Sequence, residues 1–345
     1  RHVTMWNPDD YLERLYSETK PALSFSGKPE EWAGWREALK KQFIAALGGF
    51  PERPAQLDPV LLERAEYEEY IRERVELTTY DQLRMPVYVL IPKRGEKPFP
   101  AVIACHGHGY GSKQIVGLNP DGTDQEGGPG QYKGFAVELV RRGFLVIVPE
   151  ILGFGDRRLR EDAGKPANEN SCFRISVNLL MMGKTMAGHR VYETMRAVDY
   201  AVSRADAAKD RIGCMGISGG GLVAAFTAAL DERIRATVVS CYTNTFKDSI
   251  MAMRHCVDNY IPGILDLAEM PDLIGLIAPR PLMIEAGKYD RIFPYGGVLK
   301  AFARLEQIYG AANARHRLDS DFFEGGHEIG GGKAYGWLSS MLSVP

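Results

Sequence analysis

From Tyr70 onward the chain alternates short apolar blocks with helix-length segments. YIRERVELTT, beginning at Tyr70, switches between apolar and polar positions every second residue, and MPVYVLIP follows after a polar turn. That is the pattern of an antiparallel pair with one face on a core. Next come PAVIAC (100–105), a helix near 133–142 ending at Gly143, FLVIVP (144–149), a helix near 189–204, RIGCMG (211–216) and a helix from Gly219 to Leu230. IRATVVSCY, RPLMIEAG and HRLDSDFFEG continue the series, with a helix between the last two and another at the C-terminus. Apolar runs that do not alternate suit strands buried on both faces, and their separation by helices implies an α/β fold with a mostly parallel sheet. In such sheets the site lies at the carboxyl ends of the strands.

Residues 1–69 read differently, as helices and connectors. Asp9-Asp10 can start one helix, and Glu31-Trp32 to Leu47 is periodic and stops at Gly48-Gly49 with Pro51 beyond. The expected division is a helical extension over 1–69 and one α/β domain over 70–345. Three stretches interrupt the strand-helix rhythm: a glycine-rich loop at 107–131, a charged one at 150–188 and one at 243–279 that includes a helix before Pro271 and Pro279. Loops of this length in a compact domain serve as lids or binding walls.

Composition narrows the function classes. At 345 residues, 45% hydrophobic and 25% charged, the chain has the profile of an ordinary folded protein. Lys+Arg at 42 against Asp+Glu at 44 leaves a formal charge of -2, so no overall positive field exists to hold a nucleic acid. Cys105, Cys172, Cys214, Cys241 and Cys256 are odd in number, three of them inside apolar runs, and no CxxC pair is present. Buried thiols in a reducing compartment fit this better than a disulfide framework, so a cytoplasmic location is expected, with a trimmed leader left open because the first residue is Arg1. No run approaches the ~18 apolar residues of a membrane span, and nothing in the sequence sets an oligomeric state.

The sharpest chemical feature is Gly216-Ile217-Ser218-Gly219-Gly220, lying between an expected strand and the small-residue helix GLVAAFTAAL. A nucleophile elbow needs this arrangement, because the serine sits on a strained turn whose neighbours must lack bulk. The helix start adds its positive dipole end and an unpaired N–H from Gly219, aimed where an oxyanion would form. A serine needs a histidine base and a carboxylate to orient it, in the order Ser, Asp/Glu, His. Asp290 falls just past RPLMIEAG, and His327 in the loop after DSDFFEG. Asp319, Asp321 and Glu285 are weaker carboxylate candidates because they lie within strands.

At these residues the chain resembles the α/β-hydrolases, in the group of dienelactone hydrolases and acetyl xylan esterases. His106-Gly107, the Ser218 elbow, APRPLMIEAGKYD with Asp290 and GGH with His327 carry the resemblance, which runs from about residue 70 to the end. It implies an α/β-hydrolase catalytic domain without cofactor or metal, in which Ser218, Asp290 and His327 form the triad. It also implies that the backbone N–H of His108 joins that of Gly219 in the oxyanion hole. The chain departs from the pattern in its N-terminal extension, in the loop from Gly107 to Gln131, and in Gly219, where some acetyl esterases carry Gln.

Competing readings exist for the same residues. His106-Gly107-His108 at a strand end is also how a zinc site can begin, with His189, His255, His316 or His327 to complete it, although only His327 is well placed. The glycines from Gly216 to Gly221 do not have dinucleotide-binding spacing, and no Walker lysine follows. Arg157, Arg158 and Arg160 could meet an acidic substrate but read better as a solvated face. The expected activity is therefore hydrolysis of esters by a serine carboxylesterase. The alternatives are a peptidase using the same triad and, in a different class, a non-catalytic binding protein. The long loops are polar and glycine-rich rather than an apolar lid, so short acyl groups are expected. A small-molecule or carbohydrate ester, above all an acetylated sugar, is the substrate class that the resemblance implies.

Overall fold

The computed structural model describes residues 5–128 and 130–343. Strands Val60–Glu66 (β1), Tyr70–Tyr80 (β2), Leu83–Pro92 (β3), Phe99–Cys105 (β4), Leu145–Pro149 (β5), Ala207–Ile217 (β6), Ile234–Ser240 (β7), Leu282–Gly287 (β8) and Leu318–Phe323 (β9) form one sheet. Their order is β1-β2-β3-β5-β4-β6-β7-β8-β9. The first three neighbouring pairs (β1 with β2, β2 with β3, β3 with β5) are antiparallel, and every pair from β5 to β9 is parallel. The mostly parallel sheet expected from the apolar runs is thus present, with its antiparallel part at the N-terminal edge.

The helices are Asp9–Glu18 (α1), Trp32–Ala46 (α2), Phe135–Arg141 (α3), Cys172–Met181 (α4), Met186–Ser203 (α5), Gly219–Leu230 (α6), Met270–Ile274 (α7), Tyr295–Ala311 (α8) and Ala334–Met341 (α9). Apolar residues of α2, α5, α6, α7 and α8 share one core on one face of the sheet, and those of α3 and α9 form a second core on the other. Strands such as β5, with all five residues buried, are covered on both sides, which is why they show no alternation. Among the described residues no helix is long and apolar enough to cross a membrane.

The N-terminal segment is not all helix and connector. Residues 60–66, read from sequence as part of the helical extension, form β1. This strand has one partner, a register shift between Leu61 and Glu63, and only Ala65 partly covered, so no alternating pattern marks it. Ahead of it, α2 buries Trp35, Leu39 and Phe43 in the larger core, where the Phe43 ring meets Phe226 of α6 edge-on at 5.0 Å. At about 1.5–3 kcal/mol for each large side chain removed from water, such burial attaches α2 to the sheet domain.

The stretch 150–188 also departs from expectation, because α4 lies within it and its charged run is only partly solvated. Arg157 is buried, and its guanidinium donates to both carboxylate oxygens of the buried Glu193 at 2.7 and 2.6 Å. The Thr79 hydroxyl donates to the same carboxylate at 2.6 Å. Removing one partner of a buried ion pair leaves the other charge uncompensated. Arg157→Ala is therefore expected to lower the unfolding free energy by about 3–5 kcal/mol. The urea unfolding midpoint checks this, and a loss below about 0.5 kcal/mol would return Arg157 to the solvated face.

Candidate active site

At the end of β6 the chain turns directly into α6 through Ser218, whose φ of 59° is in the left-handed region. A non-glycine residue there is strained, by roughly 1–3 kcal/mol, and persists only where its surroundings hold it. The glycines on either side explain how. A Cβ on Gly216 would come within 2.0 Å of the Gly220 carbonyl oxygen, and one on Gly220 within 2.2 Å of the Cys105 carbonyl oxygen. The elbow is therefore pressed between its own helix and the end of β4, and the Ser218 N–H is fixed on the Ser240 carbonyl at 2.9 Å. Gly219 is the first residue of α6, so its N–H has no helical acceptor.

Asp290 follows β8 and is buried. Its Oδ1 accepts from the N–H groups of Ile292 and Phe293 at 2.8 and 3.1 Å, while Oδ2 lies 2.8 Å from Nδ1 of His327. The half-buried imidazole stacks on Phe293, with ring centroids 5.8 Å apart and planes 15° from parallel. Nδ1 and the ring plane of His327 are thus both constrained, leaving Nε2 as its free edge. Ser218, Gly219, His108 and His327 line one cavity of about 290 Å³, walled by Ile292 and Phe293. Among the described residues no hydrogen bond joins Ser218 Oγ to the imidazole; such contacts often tighten only when substrate is bound.

The other sequence candidates separate cleanly. Glu285 is buried and supports the His327 loop rather than the ring: it accepts from the Ser240 hydroxyl at 2.7 Å and from the N–H groups of Gly330 and Gly331, each at 2.9 Å. Burial pushes its carboxyl above the ordinary value. Asp319 is exposed and caps the N–H of Ser320. Among the described residues, neither contacts His327 through a hydrogen bond, and the same holds for Asp321. At the end of β8, Gly287 allows the His327 loop to cross, since a Cβ there would stand 2.1 Å from the Gly326 carbonyl oxygen.

His106 and His108 do not converge on one point as a zinc pair would. His106 is fully buried, which lowers it to about 3 and keeps it neutral. Its Nε2 accepts from the Ile151 N–H at 3.0 Å, so the proton is on Nδ1, which donates to the Gly107 carbonyl at 2.9 Å. Both nitrogens are therefore engaged within the loop. His108 instead turns its Nε2 to the buried Asp258, 3.3 Å away. Burial opposes its charged form, but Asp258 and Cys256 outweigh this and push it up to about 9. The His108 carbonyl accepts from the Tyr132 hydroxyl at 2.7 Å, and its N–H has no protein acceptor among the described residues.

Several residues around the cavity had no signature in the sequence. Tyr132 braces the His108 loop, while the neighbouring Gln131 carbonyl accepts from Ile329 and so ties that loop to the one carrying His327. Ser249 donates to the Ile292 carbonyl at 2.7 Å and accepts from His255 Nε2 at 3.1 Å. Burial lowers the pKa of His255, which lines the cavity. These contacts join segments far apart in the chain, and no local spacing encodes them.

Residues 9–307 match the profile of the Abhydrolase family. The Bacillus subtilis (strain 168) protein described as "Putative hydrolase YtaP" is 34% identical over 287 residues, covering 81% of this chain and 89% of that protein. Among solved structures, one described as a "putative acetyl xylan esterase" from Bacteroides fragilis NCTC 9343 aligns with a TM-score of 0.78 at 20% identity, over 93% of this chain and 83% of that one. A glucuronoyl esterase from Solibacter usitatus aligns with a TM-score of 0.67 at 13% identity, over 93% of this chain and 97% of its own. At these identities the structural likeness establishes the α/β-hydrolase fold.

Proposed function

The chain belongs to the Abhydrolase family, and from that premise we propose that this hydrolase is a serine carboxylesterase working through an acyl-enzyme. The observation that carries the reading is the 2.8 Å contact between His327 Nδ1 and Asp290, placed on the cavity that also receives Ser218 from its elbow. In the proposed cycle His327 Nε2 takes the Ser218 proton as Oγ attacks the ester carbonyl. Asp290 keeps a proton on Nδ1 and stabilises the imidazolium. The N–H groups of Gly219 and His108 donate to the tetrahedral oxyanion, each such donor being worth about 10²–10³ in kcat. His327 then protonates the leaving alcohol, and water repeats the sequence to release the acid.

Two features support a short acyl group. The cavity is about 290 Å³, and its apolar lining, Tyr132, Cys256, Ile292 and Phe293, shares the wall with the polar Gln131, Arg254, His255 and Asn259. Each CH₂ placed on an apolar wall gains about 0.8 kcal/mol, so a site without a long groove gains little from a longer chain. The neighbours' names, acetyl xylan esterase and glucuronoyl esterase, support a carbohydrate ester as the natural substrate class. For an acetylated sugar the acetyl group would enter the cavity while the sugar, as the alcohol, remains at its mouth; a glucuronoyl ester would place the sugar on the acid side instead.

A fluorophosphonate probe tests the chemistry, and the expected result is a single adduct on the peptide containing Ser218. Measuring kcat/KM across nitrophenyl acetate, butyrate, octanoate and palmitate tests the size limit. Acetate and butyrate should lead by at least about 10-fold. A steady rise towards palmitate would end the short-acyl assignment, whereas fast acetate hydrolysis without acetate release from any acetylated sugar would leave the esterase and remove the carbohydrate.

A further inference from the structure

Beside the cavity, three of the long connections meet at a cluster in which Cys172 and Asp258 are buried and His108 and Cys256 half-buried. His108 comes from the loop after β4, Cys172 is the first residue of α4, and Cys256 and Asp258 lie between β7 and α7. One nitrogen of His108, both Sγ atoms and a carboxylate oxygen all stand within 4.8 Å of one another. His108 Nε2 is buried and makes no hydrogen bond among the described residues, although it lies 3.3 Å from Asp258 Oδ2. All five cysteines are free thiols, so Cys172 and Cys256 are both available.

We propose that His108, Cys172, Cys256 and Asp258 bind a zinc ion as a closed, structural site. Two thiolates with one imidazole and one carboxylate form a borderline-soft donor set that favours zinc over magnesium or calcium. Zinc bonds of ~2.3 Å to sulfur and ~2.0 Å to nitrogen and oxygen place the ligand atoms of a tetrahedron ~3.3–3.8 Å apart. The 3.3 Å separation of His108 Nε2 and Asp258 Oδ2 already matches the nitrogen-oxygen edge. Closing the site draws the sulfurs in from separations of up to 4.8 Å, and binding releases the two thiol protons and any proton on Nε2 to solvent.

The surroundings supply the outer support that a metal site needs. Arg190 donates to Asp258 Oδ2 at 2.5 Å and to Cys172 Sγ at 3.1 Å, and is itself held by the Leu152 carbonyl at 2.7 Å. Asn259 donates to Asp258 Oδ1 at 3.1 Å. Each donor orients a proposed ligand, as the outer partners of metal ligands do. The charges also close: two thiolates and one carboxylate balance a divalent cation plus the Arg190 guanidinium, so the filled cluster is neutral, as a buried site requires. This location differs from the His106-His108 pairing considered from sequence, since both nitrogens of His106 are occupied. Because His108 also lines the cavity, the ion would anchor that loop against α4 and the segment carrying Cys256.

The test uses the full chain, purified with a non-chelating reductant, loaded with zinc and passed over a chelating resin. About one zinc per chain should remain, and cobalt(II) in its place should give a thiolate-to-cobalt charge-transfer band with the visible spectrum of a tetrahedral ion. Cys256→Ser and Cys172→Ser should each weaken zinc binding by more than about 100-fold, exceeding what loss of an outer partner costs. His327→Ala should leave it unchanged; this control matters because Cys241, Asp290 and His327 also approach within 4.8 Å. A folded, reduced wild-type chain that retains no zinc and shows no thiolate-to-cobalt band would overturn the site, as would binding that depends on His327 but on neither cysteine. None of these readouts uses hydrolysis, so the esterase assignment can fail without touching this one.

Discussion

Ser218→Ala is expected to leave a folded protein whose ester hydrolysis has fallen by about 10⁶-fold in kcat, to the level set by binding and the oxyanion donors alone. The fold should survive, because the mutation removes one hydroxyl from a side chain that caps no helix and supports no neighbour through a hydrogen bond among the described residues. Alanine does not relieve the φ of 59°, so the elbow keeps its strain and its shape. KM should move little where the serine contributes nothing to ground-state binding, and the fluorophosphonate adduct should vanish. Circular dichroism and a thermal midpoint within about 3 °C of wild type would establish that the loss is chemical. Activity within tenfold of wild type would mean another nucleophile and would end the triad reading.

The sheet was legible because its central strands carry their signal locally. PAVIAC, FLVIVP and RPLMIEAG are apolar without alternation since both faces are covered, and each fell within or across an observed strand. The elbow was legible for a related reason: a Cβ added at Gly216 or Gly220 would come within about 2 Å of a backbone oxygen, so the constraint is written into adjacent positions. What escaped reading depends on distant partners. β1 is an exposed edge strand with nothing to impose alternation. Arg157 sits in a charged run that looks solvated until Glu193 and Thr79 are brought against it. The cluster of His108, Cys172, Cys256 and Asp258 is assembled from two loops and the start of α4, and no spacing between its members announces it.

The choice of carboxylate is the assignment most open to a decisive test, because Glu285, Asp319 and Asp321 lie in the strands beside it. Asp290→Asn is expected to lower kcat by about 10⁴-fold, as loss of the correct histidine tautomer does in serine proteases. In the wild type, Oδ1 is committed to the N–H groups of Ile292 and Phe293, and Oδ2 accepts from His327 Nδ1. Asparagine would keep its carbonyl oxygen on the two backbone donors and present its NH₂ group to Nδ1. The ring would then place its lone pair at Nδ1 and its proton on Nε2, which could no longer accept from Ser218. KM and the unfolding midpoint should change little, since shape and most hydrogen bonds persist. Glu285→Gln should behave in the opposite way, losing stability more than turnover, because Glu285 accepts from Ser240, Gly330 and Gly331 rather than from the imidazole. A kcat for Asp290→Asn within tenfold of wild type would reject Asp290 as the orienting acid. The same loss in kcat from Asp319→Asn or Asp321→Asn would move the role to β9, and would require the His327 ring to turn away from the contact that now fixes it.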